Sequence, residues 1–162
     1  MKSIVCDTGA LISLEKISHG YIFIEKLYNK LLIPPKVLEE VACSYNYPHE
    51  YLITHNISHL VEVVKDFSII ANLESLDDGE IEAISLAKHL NLELLIEERD
   101  GRIIAQQLGL KISGIAGQVI KAFKSGLIQQ TEVLYKLHEL YKQHRINSVL
   151  YEELKNHIIN LG

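Results

Sequence analysis

A chain of 162 residues with 48% hydrophobic content has the length of one ordinary domain and enough apolar side chains to bury a core, which argues against two independent domains. Its 23% charged residues exclude a disordered polymer, and a formal net charge of −5 argues against a non-specific nucleic-acid coat, which depends on many Lys and Arg contacts to phosphate. A nuclease remains open, because an enzyme that holds divalent cations in carboxylates needs acidic residues and takes its positive charge from the ions.

In chain order, Ser3-Ile4-Val5-Cys6 reads as a buried strand, ended by Asp7-Thr8-Gly9 as a turn into a helix. Leu11, Ile12, Leu14 and Ile17 continue at helical spacing, and a second helix carries Tyr21, Ile24, Leu27 and Tyr28. Leu31-Leu32-Ile33 is a second strand, and Pro34-Pro35 starts a helix at Lys36, since proline is tolerated in a first turn. From Cys43 to His59 the sequence has no clean period and reads as loop with a short helical piece, followed by a strand over Leu60 to Val64. Asp77-Asp78-Gly79 signals a helix start, with Ile81, Ala83, Ile84, Ala87 and Leu90 on that helix. Leu92 to Ile96 is a strand, Arg102 to Leu108 a helix closed by Gly109, and Lys111-Ile112-Ser113 a last short strand. From Ala116 onward only helices are expected, with Val133, Leu134, Leu137, Leu140 and Tyr141 on one stripe.

Short apolar strands separated by helices predict an α/β fold of three layers with a mainly parallel central sheet and C-terminal helices. A single domain is expected over residues 1–162, with a core over about 1–115 and a helical extension over about 116–162. The apolar runs Tyr21-Ile22-Phe23-Ile24 and Leu94-Leu95-Ile96 fall far short of the roughly 20 residues that span a bilayer, so no membrane segment is expected. The first residues lack the apolar stretch of a secretory signal, and the two cysteines, Cys6 and Cys43, read as buried reduced thiols. The expected compartment is the cytoplasm.

In open parallel sheets, chemistry sits beyond the carboxyl ends of the strands. One strand here ends at Asp7, and another at Glu97-Glu98, with Asp100 two residues on. Glu40 shares the buried side of its helix with Val37 and Val41, whereas Glu39 lies off it. Glu80 precedes Ala83 and Ile84 on the apolar stripe of its own helix, whereas Glu82 is rotated away. Carboxylates on apolar faces are costly unless paired, protonated or bound to metal. Plainer readings stand beside each acid: Asp7 as a helix N-cap, Asp77-x-x-Glu80 as a capping box, and Glu39-Glu40 and Glu97-Glu98 as solvated charges. Acids brought from four separate elements to one sheet edge form the oxygen-rich site that Mg²⁺ or Mn²⁺ prefers.

In this order, VCDTGALISLEKI, LLIPPKVLEEV, LDDGEIEAISLAKHL, LLIEERDGRIIAQQLGLKISG and GQVIKAFKSGLI resemble the PIN-domain superfamily, in its prokaryotic branch of toxin-like ribonucleases. The resemblance runs through essentially the whole chain, including RINSVLYEELKNHI. It implies a metal-dependent endoribonuclease with a pocket for Mg²⁺ or Mn²⁺, an RNA substrate, and a role as the toxin of a toxin–antitoxin pair with a small cognate antitoxin. It places the family's acids on Asp7, Glu40, Glu80 and Glu98, with Glu97 beside them, and the accompanying hydroxyl on Thr8. Relatives carry paired aspartates where this chain has Glu97-Glu98, and the extra methylene moves each carboxylate by roughly an ångström. That departure keeps a second reading open, a degenerate PIN-like module that binds RNA or protein without cutting. A phosphoacceptor domain of receiver type is a third reading, opposed by the lack of a lysine after the last strand; Lys111 starts it instead.

Other signals are weaker. His55 and His59 have the spacing of a helical ligand pair but no third partner, and there is no glycine-rich phosphate loop. Tyr45, Tyr47 and Tyr51 read as loop packing ahead of base stacking, and Arg99, Arg102, Lys121 and Lys124 as surface bases ahead of an RNA path. The stripe from Val133 to Tyr141 fits either intramolecular packing or a homodimer.

Overall fold

The computed structural model describes residues 2–162. Among them, the chain runs β1 (Ser3–Cys6), α1 (Thr8–Lys16), α2 (Gly20–Glu25), β2 (Lys30–Ile33), α3 (Pro35–Val41), α4 (Pro48–Thr54) and β3 (Val61–Val63). It continues through α5 (Asp78–Leu90), β4 (Leu94–Leu95), α6 (Arg99–Gln107), β5 (Ile112–Ser113), α7 (Ile115–Lys124), α8 (Gln130–Lys142) and α9 (Ser148–Leu161). The five strands form one sheet in the order β3-β2-β1-β4-β5, and every neighbouring pair is parallel.

This order places a switch point between β1 and β4. From β1 the chain builds outward through β2 and β3, then returns to the other side of β1 with β4 and β5. Connections leave in opposite directions from such a point, which opens a crevice beyond the carboxyl ends of the two strands. In register, Val5 faces Leu94 and Cys6 faces Leu95, so Asp7, one residue past its strand, and Glu97, two residues past its own, come out at the same edge. Asp7 N–H donates to Leu95 O at 3.0 Å, carrying the ladder one step past β1.

Ile4, Val5 and Cys6 are all fully buried although alternate residues point to opposite faces, so helices cover the sheet on both sides. The C-terminal helices complete one side. On α8, Val133, Leu137 and Leu140 are buried, and half-buried Tyr141 stacks on Tyr151 of α9 with ring centroids 4.8 Å apart. The stripe from Val133 to Tyr141 is therefore engaged within the chain.

Several local expectations shift. Helix α6 begins at Arg99 rather than Arg102, because Glu98 already takes the N-cap position and Asp100 suits a first turn. Cys6 is buried, but Cys43 is exposed, since α3 ends at Val41 and the chain turns outward there. No described helix is long and apolar enough to cross a membrane.

Candidate active site

The four acids singled out in the sequence, with Thr8, line one cavity of about 150 Å³ at the β1–β4 crevice, together with Gly9, Asp77 and Arg145. Asp7 is its floor, 1% exposed. Its Oδ1 accepts the Ala10 N–H at 2.7 Å, which makes it the N-cap of α1, and its Oδ2 accepts the Glu97 N–H at 3.3 Å. The plain reading as a cap is thus met, and the same residue lines the cavity. Burial drives the Asp7 carboxyl up to about 8, against the Ala10 hydrogen bond that lowers it, and neighbouring Glu97 adds to the rise.

Glu40 reaches the cavity from α3. Its Oε2 accepts a short hydrogen bond from the Thr8 hydroxyl, and its Oε1 accepts the Gly79 N–H at 3.0 Å, so both oxygens are oriented. Glycine at 79 makes this approach feasible, because a Cβ there would lie 2.7 Å from Glu40 Cδ. Glu39 points away and pairs with Lys36 at 3.2 Å.

Glu80 has two tasks as well. Its Oε2 accepts the Asp77 N–H at 3.3 Å while Asp77 Oδ1 accepts the Glu80 N–H at 2.8 Å, a complete capping box at the start of α5. Its Oε1 is buried and has no hydrogen-bond partner. A Cβ on Gly101 would fall 2.7 Å from that same oxygen, so Gly101 leaves the space beside it open. Burial, then Asp77, raises the Glu80 pKa above the ordinary carboxylate value. A buried anionic oxygen without a donor is costly, and a cation beside it would remove the cost.

Glu98 and Glu97 diverge. Glu98, exposed at the start of α6, makes no capping hydrogen bond and lines both the Asp7 cavity and a neighbouring cleft of about 300 Å³ shared with Asp77, Glu80 and Asp100. Glu97 turns to the other side. Its Oε1 accepts the Ile115 N–H at 2.8 Å, which satisfies the first turn of α7, and it does not line the Asp7 cavity. Glu98 occupies the N-cap position of α6 while Glu97 is drawn to the first turn of α7, which is why the two glutamates part.

Sequence reasoning missed Arg145, in the turn between α8 and α9. Its Nε donates to Ser13 Oγ at 2.8 Å and its Nη2 to Gly9 O at 3.1 Å, bringing a guanidinium to the rim of the carboxylate cavity. Nothing marks it in the sequence beyond a basic residue in a short inter-helix turn. Glu82, set aside as rotated away, accepts the Lys36 N–H at 3.0 Å and so satisfies the start of α3. Of the remaining residues, Tyr45 and Tyr51 pack around His55, with the Tyr51 and His55 rings 4.4 Å apart, and His59 bonds Glu25. Neither histidine approaches the cavity lining.

The donor set suits a hard divalent cation: oxygen ligands only, from separate elements, two of them with raised pKa and one orphaned. Among the described residues, no three His, Cys, Asp or Glu side chains have already converged as a metal-binding group.

Comparison with known proteins bears on the family and the fold. Residues 3–159 match the family model DUF3368, a PIN domain. No curated protein sequence matches. Among solved structures, the chain is similar to a PilT N-terminus domain protein, SSO1118, from the hyperthermophilic archaeon Sulfolobus solfataricus P2. The match has 19% identity and a TM-score of 0.54, covers 74% of this chain and 92% of that one, and bears on the fold alone.

Proposed function

The chain belongs to the PIN-domain family, a nuclease-type fold, and we propose that it is a metal-dependent endoribonuclease whose site is the Asp7 cavity. The observation that carries this reading is the orphaned Oε1 of Glu80, buried at a cavity that the carboxylates of Asp7, Glu40, Asp77 and Glu98 also line. Asp7, Glu40, Glu80 and Glu98 would hold one or two Mg²⁺ or Mn²⁺ ions. When bound, such an ion supplies the charge that meets a phosphate oxygen and brings the pKa of a water toward neutrality.

The protein's own part is orientation. Asp7 is held from two sides by backbone N–H groups, so its oxygens stay fixed when it loses its proton. Thr8 and Gly79 fix the two oxygens of Glu40. Glu80 is anchored through Oε2 and presents Oε1. Glu98 makes no capping hydrogen bond, so its side chain is free to adjust to a bound ion, which offsets part of the extra reach of glutamate over aspartate. Glu97 acts as a positioning residue, its N–H on Asp7 and its carboxylate on α7, rather than as a ligand.

A toxin role in the cytoplasm, with a small cognate antitoxin, is part of the same proposal. The acidic lining of the cavity and of the neighbouring cleft supports it, because an arginine or lysine from such a partner would compensate the carboxylates. A homodimer would need a surface other than the α8 stripe, which is engaged inside the chain. The second reading, a module that binds RNA or protein without cutting, is favoured by the carboxylates' not yet having converged. Cleavage of single-stranded RNA by purified protein with Mn²⁺, abolished in Asp7→Asn, decides between them: equal cleavage by the variant removes the nuclease reading. Slowed growth on expression, relieved by the neighbouring short reading frame, tests the toxin role, and harmless expression of active protein removes it.

A further inference from the structure

On the far side of Arg145 from the carboxylates lies a larger groove of about 450 Å³, between β5, the start of α7 and α9. Its volume falls in the range of ligand pockets. One part of its lining is charged, with the two guanidiniums of Arg102 and Arg145 against the single carboxylate of Glu97, and another is apolar, from Ile112, Ile146, Leu150 and Leu154. Arg145 lines both this groove and the Asp7 cavity, so the two spaces meet at its guanidinium.

Glu97 lies near enough to both arginines for their charge to favour its ionised form, but it forms no direct ion pair with either, and its Oε1 is taken by the Ile115 N–H. Arg102 donates Nη1 to Ile96 O at 2.8 Å, and Arg145 donates to a hydroxyl and a carbonyl, so both are held in place by neutral oxygens. Neither stands in an ion pair among the described residues. A guanidinium has five N–H donors, and these contacts use one on Arg102 and two on Arg145. Fixed forks with spare donors suit the planar recognition of a phosphate. The apolar wall suits the face of a base, which stacks on apolar and aromatic side chains without regard to sequence. On the opposite flank of the cavity four carboxylates, Asp77, Glu80, Glu98 and Asp100, outnumber the single Arg99, which disfavours a bare phosphate there.

We propose that this groove binds one nucleotide of single-stranded RNA next to the scissile linkage, its phosphate on Arg102 and Arg145 and its base against Leu150 and Leu154. The proposal rests on the nuclease reading for what happens next door, but the binding does not require metal. A short single-stranded RNA carrying 4-thiouridine, irradiated with the full chain in excess chelator so that nothing is cut, should crosslink within residues 112–117 and 146–154. Leu150, exposed at the groove, offers a charge series: Leu150→Glu should weaken RNA binding by anisotropy about tenfold, and Leu150→Lys should hold or tighten it. Manganese affinity should stay unchanged in both.

Crosslinks confined to residues 75–80 and 98–100, or wild-type affinity in folded Leu150→Glu, overturn the groove while leaving the metal site intact. A groove that takes a neighbouring antitoxin but no RNA overturns it too. Crosslinks in the groove from a chain that neither binds manganese nor cuts RNA would uphold it and remove the nuclease reading, so the two failures are separable. If Leu150→Glu does not fold, crosslink mapping on the wild type still decides.

Discussion

The carboxylate of Glu40 on α3 accepts the backbone N–H of Gly79 on α5 at 3.0 Å, and its other oxygen accepts the Thr8 hydroxyl on α1. One side chain thus ties together the first turns of two helices and fixes its own orientation in the cavity. Gly79→Ala should disrupt this arrangement, because the new Cβ meets the Glu40 carboxylate against a helix that cannot move freely. The expected cost is about 1–3 kcal/mol of stability. Manganese affinity should fall with it, and calorimetry together with a denaturant melt checks both.

Asp7 gives a pH dependence with a definite sign. Its folded pKa of about 8 stands above the ordinary aspartate value of 3.8, so between these limits the native chain holds the proton more tightly than the unfolded chain does. The stabilisation from this group is complete below the lower value and is lost as pH rises through the upper one. Metal-free wild type should therefore lose melting temperature between about pH 5 and pH 8 relative to Asp7→Asn, which keeps an acceptor for Ala10 and has nothing to ionise. At neutral pH the variant should be more stable by roughly 1–3 kcal/mol, and the gap should close in acid. Metal affinity of the wild type should rise with pH over the same window, because the ion displaces that proton.

Glu80→Gln separates cap from ligand. The amide oxygen can still accept the Asp77 N–H, so the capping box survives, while the orphaned anionic oxygen is replaced. The melt should be unchanged or raised, since a buried unpartnered oxygen with an upward-shifted pKa is removed. Manganese binding should weaken by at least about tenfold, as for loss of a charged ligand. A large loss of stability with normal metal binding would mean that Glu80 is only a cap.

Arg145→Gln should lower stability by about 1–2 kcal/mol, because Ser13 Oγ and Gly9 O lose their donor beneath α9. It should also tighten metal binding, since a fixed positive charge leaves the rim of the site. RNA binding should weaken in the same variant, a combination that unfolding cannot produce.

The parts of this fold legible in the sequence are those governed by local patterns. Ser3–Cys6 and Leu31–Ile33 announce strands by uninterrupted apolar residues, and Asp77-Asp78-Gly79 announces a helix start. The facing of Glu40 and Glu80 follows from helical phase, and they line one cavity with Asp7 and Glu98, although no three of these side chains close into a metal-binding group. What escaped depends on long-range contact. The roles of Arg145 and Glu82 come from partners 132 and 46 residues away, and no spacing rule reaches that far. The separation of Glu97 from Glu98 needed the position of α7, whose first N–H groups claim Glu97. Cys43 looked buried by residue type, but the end of α3 sets its exposure.

The central claim is that Asp7, Glu40, Glu80 and Glu98 form a cation site for RNA cleavage. Calorimetric titration of Mn²⁺ into the metal-free chain near pH 8, repeated with Asp7→Asn and followed by RNA cleavage on the same samples, tests it most directly. Saturable binding by the wild type, lost in a variant that melts no lower and no longer cuts, is the predicted result. Equal manganese binding and equal cleavage by both proteins would contradict it.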